Sequence, residues 1–150
     1  MATFKVDVDN DILQCFFFWA GIVLLKTIFM SLLTSINRIS KQVFTTPEDY
    51  AMVGKDVSVA TDPYIERIRS CHRNDLENVI PFILIGVLYM LVVPKAQWAC
   101  TYFRVFGISR LIHTVVYLMK VPQPARALSF AVGLTVNFMM VVSVLRSVAW

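Results

Sequence analysis

Apolar and polar positions along the chain fall into long blocks. Residues 12–36 carry one charge, Lys26, in 25 positions, and residues 127–145 carry none in 19. A helix crosses the hydrocarbon core of a bilayer in about 20 apolar residues, so both stretches predict membrane spans. Residues 79–93 are apolar but only 15 long, and residues 96–119 are mostly apolar yet hold Arg104, Arg110 and His113. These two predict spans with polar groups at their ends or inside. The punctuation lies at TTPEDY, GKDVSVATDP, VPKA and VPQP. Asp62-Pro63 is a good N-cap and first-turn pair, and Pro94 ends what Asp62 begins. The pattern predicts an all-α protein with helices over about 11–41, 62–92, 96–119 and 124–148 and a polar connection over about 42–61. Short turns between successive helices predict an antiparallel four-helix bundle, a single membrane domain over 1–150.

Composition strengthens the membrane reading. The chain is 57% hydrophobic and 16% charged, against about 45–50% and about 25% in soluble domains. The N-terminal MATFKVDVDND holds three Asp and one Lys, without the positive n-region or small-residue cleavage site of a secretory signal, so the first span is expected to be a retained anchor. Lys and Arg beside the spans number eight on the side of the 42–61 and 121–124 connections and four on the other. Positive residues favour the cytosol, which puts both connections there and both termini in the lumen. The three cysteines, Cys15, Cys71 and Cys100, are dispersed and include no C-x-x-C. They predict neither a disulfide framework nor a metal site. Cys71 beside Arg69, His72 and Arg73 reads either as an inert thiol or as a redox sensor.

The densest charge lies at ERIRSCHRNDLENVIPF, 66–82, which runs into the apolar segment without a break before Pro81. A helix over 66–93 is about 42 Å long at 1.5 Å per residue, longer than a core of about 30 Å. Its charged part is therefore expected at the membrane rim. Ser70, Arg73, Asn74 and Glu77 share one face at i, i+3, i+4, i+7, and Arg110, His113, Thr114 and Tyr117 repeat the spacing on the third helix. A charge at mid-membrane costs about 2.5–3.5 kcal/mol, so Arg110 and His113 should face inward with partners, Glu77 being the expected one. Arg126 opens the last helix, and Arg38 lies near the end of the first. The expected pocket sets Arg38, Arg73, Arg110 and Arg126 against Glu77 and Asp49, with Asn74, His113 and Tyr117 as neutral hydrogen-bonding groups. Fork-shaped cations in excess suit a carboxylate-bearing ligand. Phe82, Leu84, Tyr89 and Phe130 are expected to serve a lipophilic second ligand. Plainer readings stand beside these: Arg67, Arg69 and Lys120 as solvated or headgroup contacts, Arg104 snorkelling, Asp75 capping or pairing locally, His72 a polar neighbour, Arg73–Glu77 a structural ion pair, Tyr117 core filler, and Lys26 either buried against a partner or snorkelling. No nucleic-acid partner is expected.

FTTPEDY (44–50), DPYIERIRSCHRNDLENVIPF (62–82), GISRLIHTVVYL (107–118) and VPQPARALSF (121–130) resemble the MAPEG family, membrane-associated proteins in eicosanoid and glutathione metabolism. The resemblance runs through nearly the whole chain, and E-R-x-x-x-x-H-x-N-D-x-E-N is its specific motif. It implies a homotrimer in the endoplasmic reticulum, with the mitochondrial outer membrane as a second location, and glutathione bound in clefts between protomers that open to the cytosol. Carried over by motif, the glutathione ligands are Arg38, Arg73, Asn74, Glu77, His113, Tyr117 and Arg126, with His72 and Arg110 nearby. Arg126 is the residue nearest the thiol, and Asp49 a proton acceptor if the chemistry is an isomerisation. The implied activity is conjugation of glutathione to lipophilic electrophiles, with lipid hydroperoxide reduction as an accompaniment. The alternatives are isomerisation of prostaglandin H2 to prostaglandin E2 and non-enzymatic lipid presentation. Ala127 and Phe130 depart from the Ser and Tyr of the prostaglandin branch. Ser70 stands where both branches have Arg, and Tyr50 where the transferase branch has a stress-sensing Cys.

Overall fold

The structure is a computed structural model, described here for residues 8–51, 61–93 and 97–149. It is all-helical: α1 Asn10–Lys41, the short α2 Pro47–Ala51, α3 Pro63–Val92, α4 Ala99–Leu118 and α5 Ala125–Val148. The sequence pattern puts long helices at nearly the same places but treats 42–61 as plain connection; α2 lies inside it. Asp62 caps α3 through Oδ1, which accepts from Tyr64 and Ile65 N–H at 2.9 Å each, with Pro63 pre-set for the first turn. Asp9 does the same for α1, accepting from Asp11 N–H at 2.8 Å. Gln42 ends α1 in the left-handed conformation, φ 52°, a common helix stop that folds the last carbonyls back into hydrogen bonds.

Cross-helix contacts fix the directions. Lys41 at the end of α1 pairs with Asp62 at the start of α3. Asp75 of α3 meets Arg110 of α4, and Arg67 reaches the Tyr117 carbonyl at the far end of α4. Tyr117 lies under Arg126 at the start of α5. Successive long helices therefore run in opposite directions. Helices α3 and α4 form a central seam; α1 and α5 each pack on both and not on one another.

The core away from the charged end is aromatic. Phe82 and Phe106 stack at 3.9 Å, Phe103 meets Phe82 edge-on, and Phe16 meets Phe103 edge-on, arrangements ring quadrupoles favour. Gly86 and Gly107 let α1 in close: any Cβ there would collide with the rings of Phe16 and Trp19. At this same end Cys15 and Cys100 form a disulfide joining the starts of α1 and α4, Cα atoms 5.6 Å apart. The expectation of no disulfide is thus corrected. Parallel packing of α1 and α4 brings together two cysteines separated by 85 residues, and no spacing motif announces that. Cys71 is free and buried.

Among the described residues three helices, α1, α3 and α5, are long and apolar enough to cross a membrane; α4, with Arg104 and Arg110, is outside that set. Their outward faces are greasy: Phe17, Phe18, Ile28, Phe29 and Leu32 on α1 and Phe138 on α5 are all more than half exposed. Apolar area of that extent is stable against lipid tails, not water. The protein is an integral membrane protein.

Candidate functional site

The charged ends of α1, α3, α4 and α5 meet at one end of the molecule, but their side chains divide into two groups. The first is buried. Asp75 and Arg110 are both 0% exposed, and Lys26 is nearly as enclosed. Asp75 Oδ1 accepts from Arg110 Nη2 at 3.0 Å and also pairs with Lys26 Nζ. Lys26 donates on to Thr114 Oγ1 at 3.0 Å, and Thr114 to the Arg110 carbonyl at 3.1 Å. One carboxylate thus ties α1, α3 and α4 together. Removing ions from water costs several kcal/mol each, and the expense is offset only where geometry and further hydrogen bonds satisfy them. Arg110 Nη2 also reaches Asn74 Oδ1 at 2.7 Å and His113 Nδ1 at 3.0 Å.

This corrects the expected partner of Arg110. Glu77 is exposed on the outer face of α3, and no ion pair joins it to Arg73 or Arg110 among the described residues. Asp75 sits on the face that also carries Ile68, Cys71, Asn78 and Phe82, all buried. The apolar neighbours at i±4 and i±7, Cys71, Val79, Ile68 and Phe82, were the signal: they put Asp75 in the core and Glu77 two residues on, away from it. Lys26, left open between burial and snorkelling, is buried against Asp75.

From this core the group extends towards the rim. His113 lies 5.5 Å from the Tyr117 ring and 6.5 Å from Phe130. Tyr117 carries two cations: Arg126 at 4.8 Å from the ring centre and Arg67 at 5.9 Å. Each such contact contributes about 0.5–1 kcal/mol where exposed, more where water is excluded. Arg67 is therefore no mere headgroup contact; its Nη1 also donates to the Tyr117 carbonyl at 3.3 Å. It caps the end of α4, where basic groups are favoured.

The second group faces the other way. Arg38, Arg69, His72 and Arg73 line an open groove of about 460 Å³ between α1 and α3, with Thr34 and Ser35 as hydroxyl neighbours. Arg69 is tied to Glu66 at 2.8 Å. The side chains of Arg38 and Arg73 have no hydrogen bond or ion pair among the described residues. Two guanidiniums left unneutralised on one groove make a strong anion site. The single pocket expected from sequence, holding Arg38 and Arg73 with Arg110 and Arg126, is thus divided between two groups of side chains in one chain. Asp49 is half-buried on α2, which does not pack on the four long helices among the described residues. Tyr50 anchors that segment, its hydroxyl donating to the Phe44 carbonyl at 3.2 Å.

The expected apolar lining is also redistributed. Phe82 and Tyr89 are core residues, 0% and 4% exposed, and reach no ligand; Leu84 points outward. Apolar room lies instead between α4 and α5, in a groove of about 700 Å³ lined by Trp98, Tyr102, Val105, Leu128, Val132 and Met139. Outside the spans, Asp62 titrates below the usual carboxylate range. The Lys41 hydrogen bond is the main cause, and the N–H groups of Ile65 and Tyr64 add to it.

An all-helical membrane chain with this polar end belongs to a recognisable class. The sequence profile of the MAPEG family matches residues 16–146, and the chain belongs to that family. It is 44% identical to mouse microsomal glutathione S-transferase 1 over 98% of this chain and 97% of that one. Against the human protein of the same name it is 42% identical, over 93% of each. To bovine prostaglandin E synthase it is 31% identical over 84% of this chain and 82% of that one.

Proposed function

We propose that this chain is a glutathione-dependent membrane enzyme that conjugates glutathione to lipophilic electrophiles, with reduction of lipid hydroperoxides as a related activity. Likeness to the transferases exceeds likeness to the prostaglandin synthases, in identity and in coverage. Ala127 and Phe130, where the prostaglandin branch has Ser and Tyr, weigh the same way. The observation that carries the mechanism is Arg126, half-buried and stacked on Tyr117 at 4.8 Å.

Conjugation needs the thiolate. A free thiol of this kind has a pKa near 8.5–9, about two units above neutral pH, and two units correspond to about 2.7 kcal/mol of preferential stabilisation of the anion. A guanidinium held in a partly desolvated cleft supplies a term of that size. Arg126 is the thiolate stabiliser in this reading; the Tyr117 ring holds its side chain against the helix end. The thiol proton leaves to water at the open rim, and the sulfur attacks the electrophilic carbon as the leaving group departs. Arg38 and Arg73 take glutathione carboxylate, with His72 beside them. Asn74, His113 and Tyr117 hydrogen-bond the peptide, and Glu77 suits the ammonium group. Asp49 orders the connecting segment.

The division into two half-sites favours assembly. Arg38 and Arg73 on one flank and Arg126 on the other meet a single tripeptide if neighbouring protomers of a homotrimer, each a four-helix bundle, supply complementary halves. The α4–α5 groove suits the lipophilic substrate, taken from the bilayer. The disulfide end lies opposite the cationic end, and disulfides persist on the oxidising side of a membrane. With the excess of Lys and Arg at the other end, this supports an endoplasmic reticulum location with the site facing the cytosol.

The deciding experiment takes purified protein in detergent with glutathione. Ultraviolet absorbance reports the thiolate, and 1-chloro-2,4-dinitrobenzene and prostaglandin H2 are offered in parallel. Thiolate and conjugate without prostaglandin E2 are expected. Prostaglandin E2 without conjugate reverses the choice between branches. Neither product and no thiolate leaves lipid presentation. Arg126→Gln should cut kcat about 100-fold, with less effect on glutathione affinity; a change in affinity alone removes Arg126 from the thiolate role.

A further inference from the structure

One Arg110 nitrogen, with two N–H bonds to give, has three polar atoms within hydrogen-bonding distance. Its Nη2 lies 2.7 Å from Asn74 Oδ1, 3.0 Å from Asp75 Oδ1 and 3.0 Å from His113 Nδ1. A guanidinium donates, never accepts, and keeps its charge. Every atom facing it must therefore present a lone pair. For Asp75 this adds no constraint. For Asn74 it fixes the amide: the oxygen faces Arg110, and the Nδ2 group, with both its N–H bonds, faces away. For His113 it fixes the tautomer: Nδ1 is bare and the ring proton sits on Nε2. A proton on Nδ1 would set N–H against N–H beside a fully buried guanidinium. Neither Asn74 Nδ2 nor His113 Nε2 has a partner among the described residues.

The arrangement is held from behind. Asp75 grips Arg110, Lys26 grips Asp75, and Lys26 is tied to Thr114 on the same helix as Arg110. The Arg110 side chain makes no other hydrogen bond: its Nε and Nη1 are buried without one. Its polar contacts run entirely through the nitrogen that faces Asn74, Asp75 and His113.

We propose that Arg110, held by Asp75 and Lys26, is a positioning residue that commits Asn74 and His113 to act together as hydrogen-bond donors. The ligand portion they meet is then an acceptor. Resting on the glutathione reading above, this assigns them carboxylate or amide carbonyl oxygens of the tripeptide and excludes its ammonium group from that corner.

The test uses full-length protein in detergent with 15N-labelled histidine. The chain has two histidines, and loss of a signal set in His113→Gln assigns the spectrum. The expected native spectrum shows His113 with an unprotonated Nδ1 and a protonated Nε2. In Arg110→Lys the ammonium keeps the Asp75 pair but loses the fork, so the tautomers should mix. The KM for glutathione should rise about tenfold, with kcat within about threefold. A native His113 protonated on Nδ1 overturns the proposal, even if Arg110→Lys does not fold. So does a folded Arg110→Lys with native tautomer and native KM. If the expected tautomer is found but calorimetry shows no glutathione binding, the glutathione reading fails and the donor assignment stands.

Discussion

Arg73 and Asp75 are two residues apart on α3 and live in different worlds. Asp75 is wholly buried and shared by Lys26 and Arg110. Arg73 is exposed on an open groove with Arg38 and has no partner among the described residues. A turn of 200° about a helix axis separates them. The same contrast holds between the groups they represent. The buried group spends its charges on one another and ties three helices together. The groove leaves its Arg38 and Arg73 charges without a counter-ion among the described residues. Charge inside a membrane protein is thus not one kind of signal: paired and buried it ties helices together, unpaired and exposed it is free to meet a ligand.

Breaking the buried group should have the largest effect. Asp75→Leu leaves two cations buried without a counter-ion, and such losses cost about 3–5 kcal/mol. The denaturation midpoint in detergent should fall accordingly, and Lys26→Met on the same background should restore part of it, because the two changes share one interaction. Arg38→Gln or Arg73→Gln should leave stability within about 0.5 kcal/mol. Each should raise the glutathione KM about tenfold or more, as loss of a charge-assisted hydrogen bond does. If Arg73→Gln proves as destabilising as Asp75→Leu, the distinction drawn between the two groups is wrong.

The smallest effect is expected at Asp62. Its carboxyl titrates low in the folded protein, chiefly because Lys41 donates to it. A depressed folded value means stability that is present above the ordinary carboxylate range and lost as pH falls through the folded value. Asp62→Asn keeps the cap oxygen and loses the ion pair. It should lower the melting temperature slightly at pH 7 and not at all at the acid end, where the native carboxyl is already protonated. A difference that grows towards acid would contradict that assignment.

The contrast also marks what could be read from sequence. Helix positions were legible because apolar blocks, Asp62-Pro63 and the proline turns act within a few residues of each other. The MAPEG motif was legible for the same reason. Partners were less so. Lys26, alone in 25 residues, demanded an acid, and the antiparallel register set by Lys41 and Asp62 brings it level with the turn holding both Asp75 and Glu77. Only the burial pattern of Ile68, Cys71, Asn78 and Phe82 chooses between them.

The sequence by itself determined an all-helical membrane protein with its arginines gathered towards one end, because hydrophobic run length and local capping are properties of short stretches of chain. The tertiary structure decided the rest. It joined Cys15 to Cys100, put Arg67 and Arg126 on one tyrosine, withdrew Phe82 and Tyr89 into the core and split the expected pocket in two. Each depends on which faces of distant helices meet, and helix crossing and rotation arise from packing over the whole interface, which no single segment encodes.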